Sequence, residues 1–492
     1  MPPSTHRSTP SSTALRLLAI AAVGATLAAG DASGQSAGLL RTLNEPAAKV
    51  TDANKSAERL FTAYLDLTRP PQPIGDDFNM LTIYPGMDGW DEVARWAEAN
   101  ESMGKTLVAI QECQLIGLPY GDKGVDPKFM ERGIVAEIGV DGDLSRLRFG
   151  YLDAIRAINA YAVADMYRLC EAGRFDDAFR TGIAHLRMLR QGCDAQMFDE
   201  KTAFMTMLSD ALSVHRDVLW AYRSKLPSRL LKRLGQEEYP FLRASDNERL
   251  KRIAMPEGDI AVAREMIESV FDGGGQPDGE RFARTFASLQ SKAAPLTAFG
   301  ATKRWDAIAE VHSSLDASEQ KLTDVYDDWW RRWRMRPYDP MQALPTELSR
   351  TNPVRYAAVT LAARDIDSLF ELRRRLVTEL CGTVVSCGLT AYRAQFGTWP
   401  NDIEKAYAMY FPKRFDFDPY DRGEGPFLYQ ELGTKTKAVD SEFGTVEISG
   451  CLLYGRNNDG EFNGALRHAA GGDIDDFVIW PPLRAVSRGQ GE

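Results

Sequence analysis

The sequence has few of the residues on which metal centres and redox sites depend. Its 492 residues include 5 histidines and 6 cysteines, all dispersed, with no H-E-x-x-H pair and no C-x-x-C pair. These spacings argue against a zinc peptidase, a zinc-binding module and a thioredoxin-like redox centre. No catalytic constellation is visible, although carboxylates distant in sequence can converge in a fold. We predict that the six cysteines are buried free thiols: Cys113, Cys170, Cys193, Cys381, Cys387 and Cys451.

Positive charge and long apolar runs are scarce as well. The chain has 59 Lys and Arg against 69 Asp and Glu, a net charge of -10. Proteins that bind nucleic acid or anionic membranes present a basic surface, so we expect no nucleic-acid partner. Beyond residue 29 no window of eighteen apolar residues occurs, so no stable membrane span is expected there.

Residues 1–34 have the pattern of a secretory signal peptide. Arg7 and Arg16 precede an apolar run over residues 17–29, and the small residues at 32–34 offer a cleavage site. The apolar run is shorter than a usual transmembrane helix. The pattern predicts an exported protein, periplasmic or extracellular, with an uncleaved signal anchor as the alternative.

The remaining chain is too long for one ordinary domain, and its patterns divide it. Helical periodicity dominates residues 45–340, a proline-containing linker or seam follows at 341–365, and residues 366–484 mix helix and strand. Residues 485–492 are expected to be a flexible tail. The predicted fold class is mainly α, with an N-terminal array of helical hairpins and a C-terminal α+β module. That module contains a long helix and a small antiparallel sheet.

The clearest helical hairpin lies in residues 157–190, with its turn near Gly173. Phe175 and Ala178 match the second helix of a tetratricopeptide repeat, whereas Gly182 stands where that repeat has a large residue. A repeat would imply protein binding on a concave face. A generic helical hairpin is the alternative.

Aromatic residues and arginines alternate in residues 324–336, the most unusual stretch of the helical half. The aromatic residues are Tyr326, Trp329, Trp330 and Trp333. They would form a platform for a sugar or a peptide, with cation–π contacts from the arginines. The alternative is a packing face whose arginines stay solvated.

The C-terminal module begins with a long amphipathic helix, predicted for residues 366–396 from apolar side chains at every third or fourth position. Gly397 and Pro400 end it. A short second helix is expected over residues 402–409, with Asn401 as its N-cap. Strands are predicted at residues 427–430, 446–454 and 477–480.

This order resembles the globular C-terminal domain of the major pseudopilin of type II secretion systems. The shared features are a Tyr and a Gly-x-x-Pro within residues 392–400, Asp418-Pro419-Tyr420, Leu453-Tyr454 before an Asn-Asp-Gly turn, and an Asp-Ile before the last Trp. They cover about a fifth of the chain. In that family the final loop binds calcium, which implies Asp459, Asp473 and Asp475 here.

One departure from that family concerns the long helix. A pseudopilin helix opens with about twenty apolar residues that anchor it in the membrane. Here Arg373, Arg374 and Arg375 interrupt the helix, so it cannot span a bilayer. The resemblance therefore implies a module fused to another protein, and not a filament subunit.

The residues of the final loop also support a cation site without the resemblance. Asp459, Glu461 and Asn463 alternate along the loop, as in the first half of a calcium-binding loop. Asp473 and Asp475 would supply further oxygens if the chain folds back. The predicted cofactor is a structural Ca²⁺. The alternative is a solvated acidic turn, since Asn, Asp and Gly tolerate unusual backbone angles.

We therefore expect an exported binding or scaffold protein with a protein partner and no reaction that the sequence identifies. One alternative is an extracytoplasmic hydrolase with carboxylates in a cleft between domains. A deep pocket with two buried carboxylates of raised pKa would favour the hydrolase. The other alternative is a component associated with secretion or filament assembly, which requires that residues 15–29 stay in the membrane.

Overall fold

The computed structural model describes residues 29–239, 253–286, 301–335, 339–423, 425–457, 460–462, 464–465 and 476–490. For residues 29–36, 301–303 and 340 it describes the backbone alone. The protein is mainly helical, with 58% helix and 11% strand, and has a three-stranded antiparallel sheet near the C-terminus. The predicted fold class is confirmed.

The helices are numbered in chain order. The first nine are α1 Ala29–Ala48, α2 Ala57–Asp66, α3 Trp90–Ala99, α4 Glu101–Ile110, α5 Pro127–Met130, α6 Tyr151–Glu171, α7 Phe175–Gly192, α8 Phe198–Ala221 and α9 Ser228–Arg233. The later ones are α10 Gly258–Ser269, α11 Gly279–Thr285, α12 Ala301–Val311, α13 Leu315–Arg334, α14 Glu347–Arg350, α15 Ala357–Ala362, α16 Asp367–Phe396 and α17 Leu483–Ser487. A two-stranded sheet pairs β1 Ala136–Ile138 with β2 Leu147–Phe149.

Helix α16 is the long helix that the sequence predicts, and its observed start differs by one residue from the prediction. Gly397 ends it in the left-handed conformation with φ of 78°, and its N–H donates to the carbonyl of Arg393. Glycine adopts this φ without steric cost, so the predicted stop signal is the observed one.

The arginines that interrupt the apolar stripe leave α16 unbroken. The guanidinium of Arg373 lies 4.7 Å from the ring centroid of Trp333, and that of Arg374 lies 5.1 Å from the ring centroid of Tyr420. Cation–π contacts of this kind stabilise arginines at a partly buried surface. The first turns of α16 are therefore held between the helical half and the C-terminal loops.

The middle of α16 is buried on all sides, whereas the sequence predicts a single apolar stripe. Every residue from 378 to 391 is buried, because α8 and α9 cover one side and the C-terminal sheet and loops cover the other. The hydroxyls of Thr383, Ser386 and Thr390 donate to carbonyls one turn earlier at 2.7–2.8 Å. These bonds satisfy the polar side chains inside the core.

Two glycines allow neighbouring elements to approach the backbone of α16. A Cβ at Gly388 would lie 2.1 Å from Cδ1 of Phe411, and a Cβ at Gly382 would lie 2.6 Å from Cγ2 of Ile479. Because a side chain at either position would overlap its neighbour, these glycines set the distance between helix and sheet.

The C-terminal sheet has the order β3–β4–β5, with β3 Leu428–Ser441, β4 Gly444–Gly455 and β5 Phe477–Trp480. The predicted bounds of β5 are correct, and those of β4 are slightly short. The β3–β4 hairpin pairs Leu428 with Tyr454 and Ser441 with Gly444. The prediction for β3 stops too early because most later residues of this edge strand are polar and exposed.

The short second helix differs from its prediction. The structure has a 3₁₀ helix at Ile403–Ala406, and its N-cap is Asp402, whose side chain accepts a hydrogen bond from the N–H of Glu404 at 2.9 Å. Ala408 takes a left-handed φ of 58°, which a continuing helix does not allow. The element therefore ends before residue 409.

Helices α6 and α7 form the predicted hairpin, with Gly173 in its turn at a φ of 74°. A Cβ at Gly182 would lie 2.7 Å from Cε1 of His215 on α8. Because residue 182 is glycine, helix α8 can pack closely against helices α6 and α7. Whether this unit is a tetratricopeptide-like repeat remains a prediction.

One hydrophobic core extends from Leu39 in α1 to Ala485 in α17 and includes α16. The predicted boundaries at residues 340 and 366 therefore fall inside continuous packing. Residues 341–365 contain two helices, and Ala357, Ala358 and Val359 in the second are fully buried. The seam is thus a packed part of the core and not an open linker.

The described part of the predicted tail also packs on the helical half. Ala485 is fully buried, and Arg488 donates to the carbonyl of Leu81 at 2.6 Å and lies 4.0 Å from the ring centroid of Tyr84. These contacts correct the expectation of a flexible tail for residues 485–490.

The six cysteines are buried free thiols, as predicted. In the described parts of the chain, no helix combines the length and apolar character that crossing a membrane requires.

Candidate functional site

Helix α13 buries most of the aromatic residues that the sequence offers as a binding platform. Tyr326, Trp329 and Trp333 are buried, and Trp330 is partly buried. The indole N–H of Trp333 donates to the carbonyl of Ile253 at 2.7 Å. These rings form a packing face, so the platform interpretation does not describe the observed arrangement.

The neighbouring Arg332 is buried too and shapes the chain that follows α13. Its Nε donates to Asp328 at 3.0 Å, and its Nη1 and Nη2 donate to the carbonyls of Met341, Gln342 and Pro345 at 3.1–3.3 Å. A guanidinium that donates to a carboxylate and to three carbonyls fixes the backbone it contacts. Arg332 thereby holds residues 341–345 as a turn.

A cavity of about 420 Å³ lies between that turn and the first two turns of α16. We call it the seam cavity. Asp367, Phe370, Glu371 and Arg374 of α16 line one wall, and Arg332, residues 342–346 and Ser349 line the other. Its walls come from segments that no local pattern relates, which is why the sequence did not reveal it.

Glu371 and Arg374 neutralise each other inside the seam cavity. Nη1 of Arg374 lies 3.4 Å from Oε2 of Glu371, and the hydroxyl of Tyr420 donates to Oε1 of Glu371. Each of the two carboxylate oxygens therefore already has a partner. This arrangement orients the Glu371 carboxylate within the cavity.

Asp367, at the start of α16, differs from Glu371 in its surroundings. Within the described residues its carboxylate accepts no hydrogen bond and joins no ion pair. Partial burial raises the pKa of Asp367, the carboxylate of Asp365 raises it further, and the Arg332 guanidinium lowers it. Asp367 is the acceptor of the cavity that a ligand can reach.

Most predicted metal ligands of the final loop, Asp459, Asn463, Asp473 and Asp475, lie outside the described residues. Glu461 is described, and the ends of the loop meet: the N–H of Ala465 donates to Oδ2 of Asp476, and Nζ of Lys437 donates to the carbonyl of Gly464. These contacts fix the described residues beside the candidate ligands, and the metal site stays a prediction. Among the described residues no group of three His, Cys, Asp or Glu is placed to hold a metal ion.

The Asp418-Pro419-Tyr420 stretch links this loop to the sheet. Asp418 is fully buried, and its carboxylate accepts hydrogen bonds from the N–H groups of Tyr420 and Arg456 at 3.0 and 2.8 Å. Burial raises the pKa of Asp418 to about 6. The guanidinium of Arg456, just after β4, lies 3.8 Å from the ring centroid of Phe462 and holds the loop on the sheet.

A second group of buried carboxylates lies in the helical half, where sequence analysis missed it. The hydroxyls of Tyr120 and Tyr151 donate to the two oxygens of Glu200 at 2.7 and 2.6 Å. Burial raises the pKa of Glu200 and that of Asp259 to about 7 each. No helical periodicity signals these contacts, because the two tyrosines come from other elements.

Histidines His185 and His215 are buried in the same helical layer. His185 Nε2 lies 2.8 Å from Oδ1 of Asn159, and His215 Nδ1 lies 3.1 Å from the hydroxyl of Tyr239. Burial lowers the pKa of each imidazole to about 3, so both are neutral core histidines.

Comparisons with protein-family models, with curated proteins and with solved structures found no match for this chain.

Proposed function

We propose that this protein is an exported binding protein and that the seam cavity is its ligand site. The observation that supports this most is the cavity itself, whose volume of about 420 Å³ falls in the ~300–1,000 Å³ range of small-ligand sites. Its lining combines the apolar side chains of Phe370, Leu344 and Pro345 with a larger number of polar and charged side chains, some of them held in fixed positions.

Binding fits the cavity better than hydrolysis does. An acid–base pair needs two carboxylates that can both exchange protons with a substrate. Glu371 is paired with Tyr420 and Arg374, and Asp367 is the carboxylate of the cavity that has no hydrogen-bond or ion-pair partner among the described residues. The buried Glu200 and Asp259 have raised pKa values but do not line this cavity.

The C-terminal module belongs to the proposal as a pseudopilin-like unit fused to the helical half. Its element order supports the resemblance: a long helix, a short helical turn, a hairpin and a last strand. Because α8 covers the middle of α16, that surface is not available for packing in a filament. This favours a fused module in a binding or scaffold protein.

Export rests on the leader pattern of residues 1–34. Cell fractionation followed by mass determination tests it. We expect protein cleaved after residue 34 in the periplasmic or extracellular fraction. Full-length protein in the membrane fraction would instead support the signal anchor.

A structural calcium ion in the final loop completes the proposal. Support comes from the hydrogen bond between the N–H of Ala465 and the carboxylate of Asp476, two described residues that follow the two groups of candidate ligands in sequence. Calcium requires six to eight oxygen ligands, which the carboxylates and amide of the candidate ligands would supply together with backbone carbonyls.

Thermal melting with a panel of small ligands tests the seam cavity. The panel contains amino acids, short peptides, amines, organic acids and nucleotides. Ala343 lines the cavity, so an Ala343→Trp variant fills it, and Ala172→Trp at the exposed α6–α7 turn is the matched control. We expect a ligand that raises the melting temperature of the wild type and of Ala172→Trp but not of Ala343→Trp.

Two results would contradict the cavity as ligand site. One is a panel in which no compound shifts the melting temperature of the wild type. The other is a compound that shifts Ala343→Trp as much as it shifts the wild type.

A further inference from the structure

We infer that the seam cavity takes the side chain of a lysine or arginine presented by an extended peptide. This inference rests on the proposed ligand site and names the chemistry of its occupant. A basic side chain has an aliphatic stem and a cationic head, and the cavity offers a matching surface for each part.

The apolar wall would receive the stem. Phe370 of α16 faces the cavity from one side, and Leu344 and Pro345 of the turn face it from the other. Lysine and arginine bury their methylene groups against such surfaces while the charged head stays polar. Apolar contact alone would therefore bind the methylene groups of the side chain but would not select a cationic end group.

The cavity has little capacity left for an anion. Arg332 already donates to the Asp328 carboxylate and to three carbonyls. Arg374 is paired with Glu371 and lies over the ring of Tyr420. An incoming carboxylate or phosphate would compete with these acceptors for the guanidinium N–H groups.

The acceptor that remains is Asp367. Within the described chain its carboxylate has no hydrogen-bond or ion-pair partner. The carboxylates of Asp365 and Asp328 disfavour the charge of Asp367, whereas the Arg332 guanidinium favours it. A cation beside Asp367 would relieve this repulsion, and an ammonium or guanidinium would also donate hydrogen bonds to it.

The rim of the cavity favours a peptide over a free amine. Met341 and Leu344, on the turn that borders the cavity, are 47% and 50% exposed. Large apolar side chains at this exposure offer contact area beyond the cavity itself. Met341 lies outside the cavity lining, so a free diamine would fill the cavity and leave Met341 in water.

The charge of the whole protein acts in the same direction. A net charge of -10 attracts a basic segment and repels an acidic one before contact. Association should therefore weaken as ionic strength rises, because salt screens such long-range attraction.

Calorimetric titration of the full chain with defined peptides tests the inference. The probe is an acetylated, amidated pentapeptide with one central lysine between glycines and leucines, and its partner carries norleucine in place of lysine. Norleucine keeps the stem and removes the charge. We expect the lysine peptide to bind the wild type at least tenfold more tightly than the norleucine peptide.

Variants locate the interaction. Asp367→Asn removes the open carboxylate, and Asp91→Asn, at an exposed position on α3, makes the same change in net charge elsewhere. We expect Asp367→Asn to weaken lysine-peptide binding at least tenfold and Asp91→Asn to leave it within twofold. Since the Asp367 side chain makes no hydrogen bond in the described structure, its replacement should leave the fold intact.

The outcomes separate this inference from the proposed function. If the lysine peptide binds equally well to Asp367→Asn but not to Ala343→Trp, the cavity binds ligand and the cation inference is wrong. If it binds Ala343→Trp as tightly as wild type, the seam cavity is not the site. If cadaverine binds as tightly as the peptide, the occupant is a free amine and the peptide part is overturned. Absence of any peptide binding overturns the inference, and the ligand panel then decides the proposed function alone.

Discussion

Arg216 on α8 and Glu379 on α16 form a buried ion pair, with Nη2 lying 2.5 Å from Oε2 and both side chains 4% exposed. Nη1 of Arg216 also donates to the backbone carbonyl of Glu379 at 3.2 Å and to Oγ1 of Thr383 at 2.9 Å. The pair joins the helical half to the long helix of the C-terminal module. It links the two predicted domains inside the core that they share.

Removing one partner of this pair should be costly. A Glu379→Leu variant leaves the Arg216 guanidinium buried without its counter-ion, which typically costs ~3–5 kcal/mol of unfolding free energy. An Arg216→Met, Glu379→Leu double variant removes both charges and should cost much less than the sum of the single variants. Urea unfolding measures these free energies.

The control for this prediction is an exposed pair. Lys49 and Glu45 lie 2.9 Å apart with side chains 70% and 61% exposed. Glu45→Gln should change stability very little, because solvent screens an exposed ion pair. A Glu379→Leu cost as small as that of Glu45→Gln would show that the buried pair does not join the two halves.

The close approach at Gly388 gives a second prediction. A Gly388→Ala substitution places a Cβ where Phe411 lies 2.1 Å away, so the loop must shift. Overpacking of this kind costs ~1–3 kcal/mol. In α1, a Cβ at Gly38 would have no atom within 4 Å, so Gly38→Ala should instead stabilise the helix by ~0.5–1 kcal/mol. Thermal unfolding that shows the same sign for both substitutions would contradict the packing described at α16.

Glu200 makes stability depend on pH. Its pKa is raised from 4.5 to about 7 by burial, so between these values the folded protein holds a proton that the unfolded chain releases. Its contribution is full below pH 4.5 and is lost as the pH rises through 7, a decline of roughly 3 kcal/mol in unfolding free energy.

A Glu200→Gln variant tests this contribution. His185 and His215 titrate alike in both proteins, whereas the charge of Glu200 also raises the pKa of Asp259, so the difference between the two pH profiles reports Glu200 together with its effect on Asp259. Chemical unfolding from pH 4.5 to pH 7.5 should show a shallower decline in the variant. Profiles of equal slope would show that Glu200 is not buried as described.

The long helix and the last strand were predictable because their signals are local. Apolar spacing and Gly397 give the end of α16, and the run of residues 477–480 is apolar and aromatic throughout. The burial of Thr383, Ser386 and Thr390 was not predictable, since their donors are satisfied only by carbonyls of the folded helix.

The candidate site was not predictable for a different reason. In the sequence Arg332 does not differ from the neighbouring solvated arginines. Its acceptors, the carbonyls of residues 341–345, lie beside it only in the folded protein. The seam cavity depends on that turn and on Asp367, and no local pattern relates the two. Trp329 and Trp333 are conspicuous in the sequence by their composition, but their rings are buried in the fold.

Calcium binding by the final loop is the fourth prediction. After chelator treatment, added Ca²⁺ should raise the melting temperature of the wild type by mass action, and an Asp459→Ala variant should lose that rise. An Asp91→Ala variant controls for the loss of one acidic residue. A wild type whose melting temperature does not respond to Ca²⁺ would show that the loop holds no calcium ion.

The seam cavity exists only while its walls in the helical half and in α16 are both folded, and the core that these parts share predicts that they unfold as one unit. Hydrogen exchange of the full chain in increasing denaturant, read by mass spectrometry, measures this directly. We predict that peptides from α8 and from β4 open with free energies within ~1 kcal/mol of each other, in a single transition. Opening of β4 and α16 several kcal/mol below α8 would contradict the shared core and, with it, the proposed site.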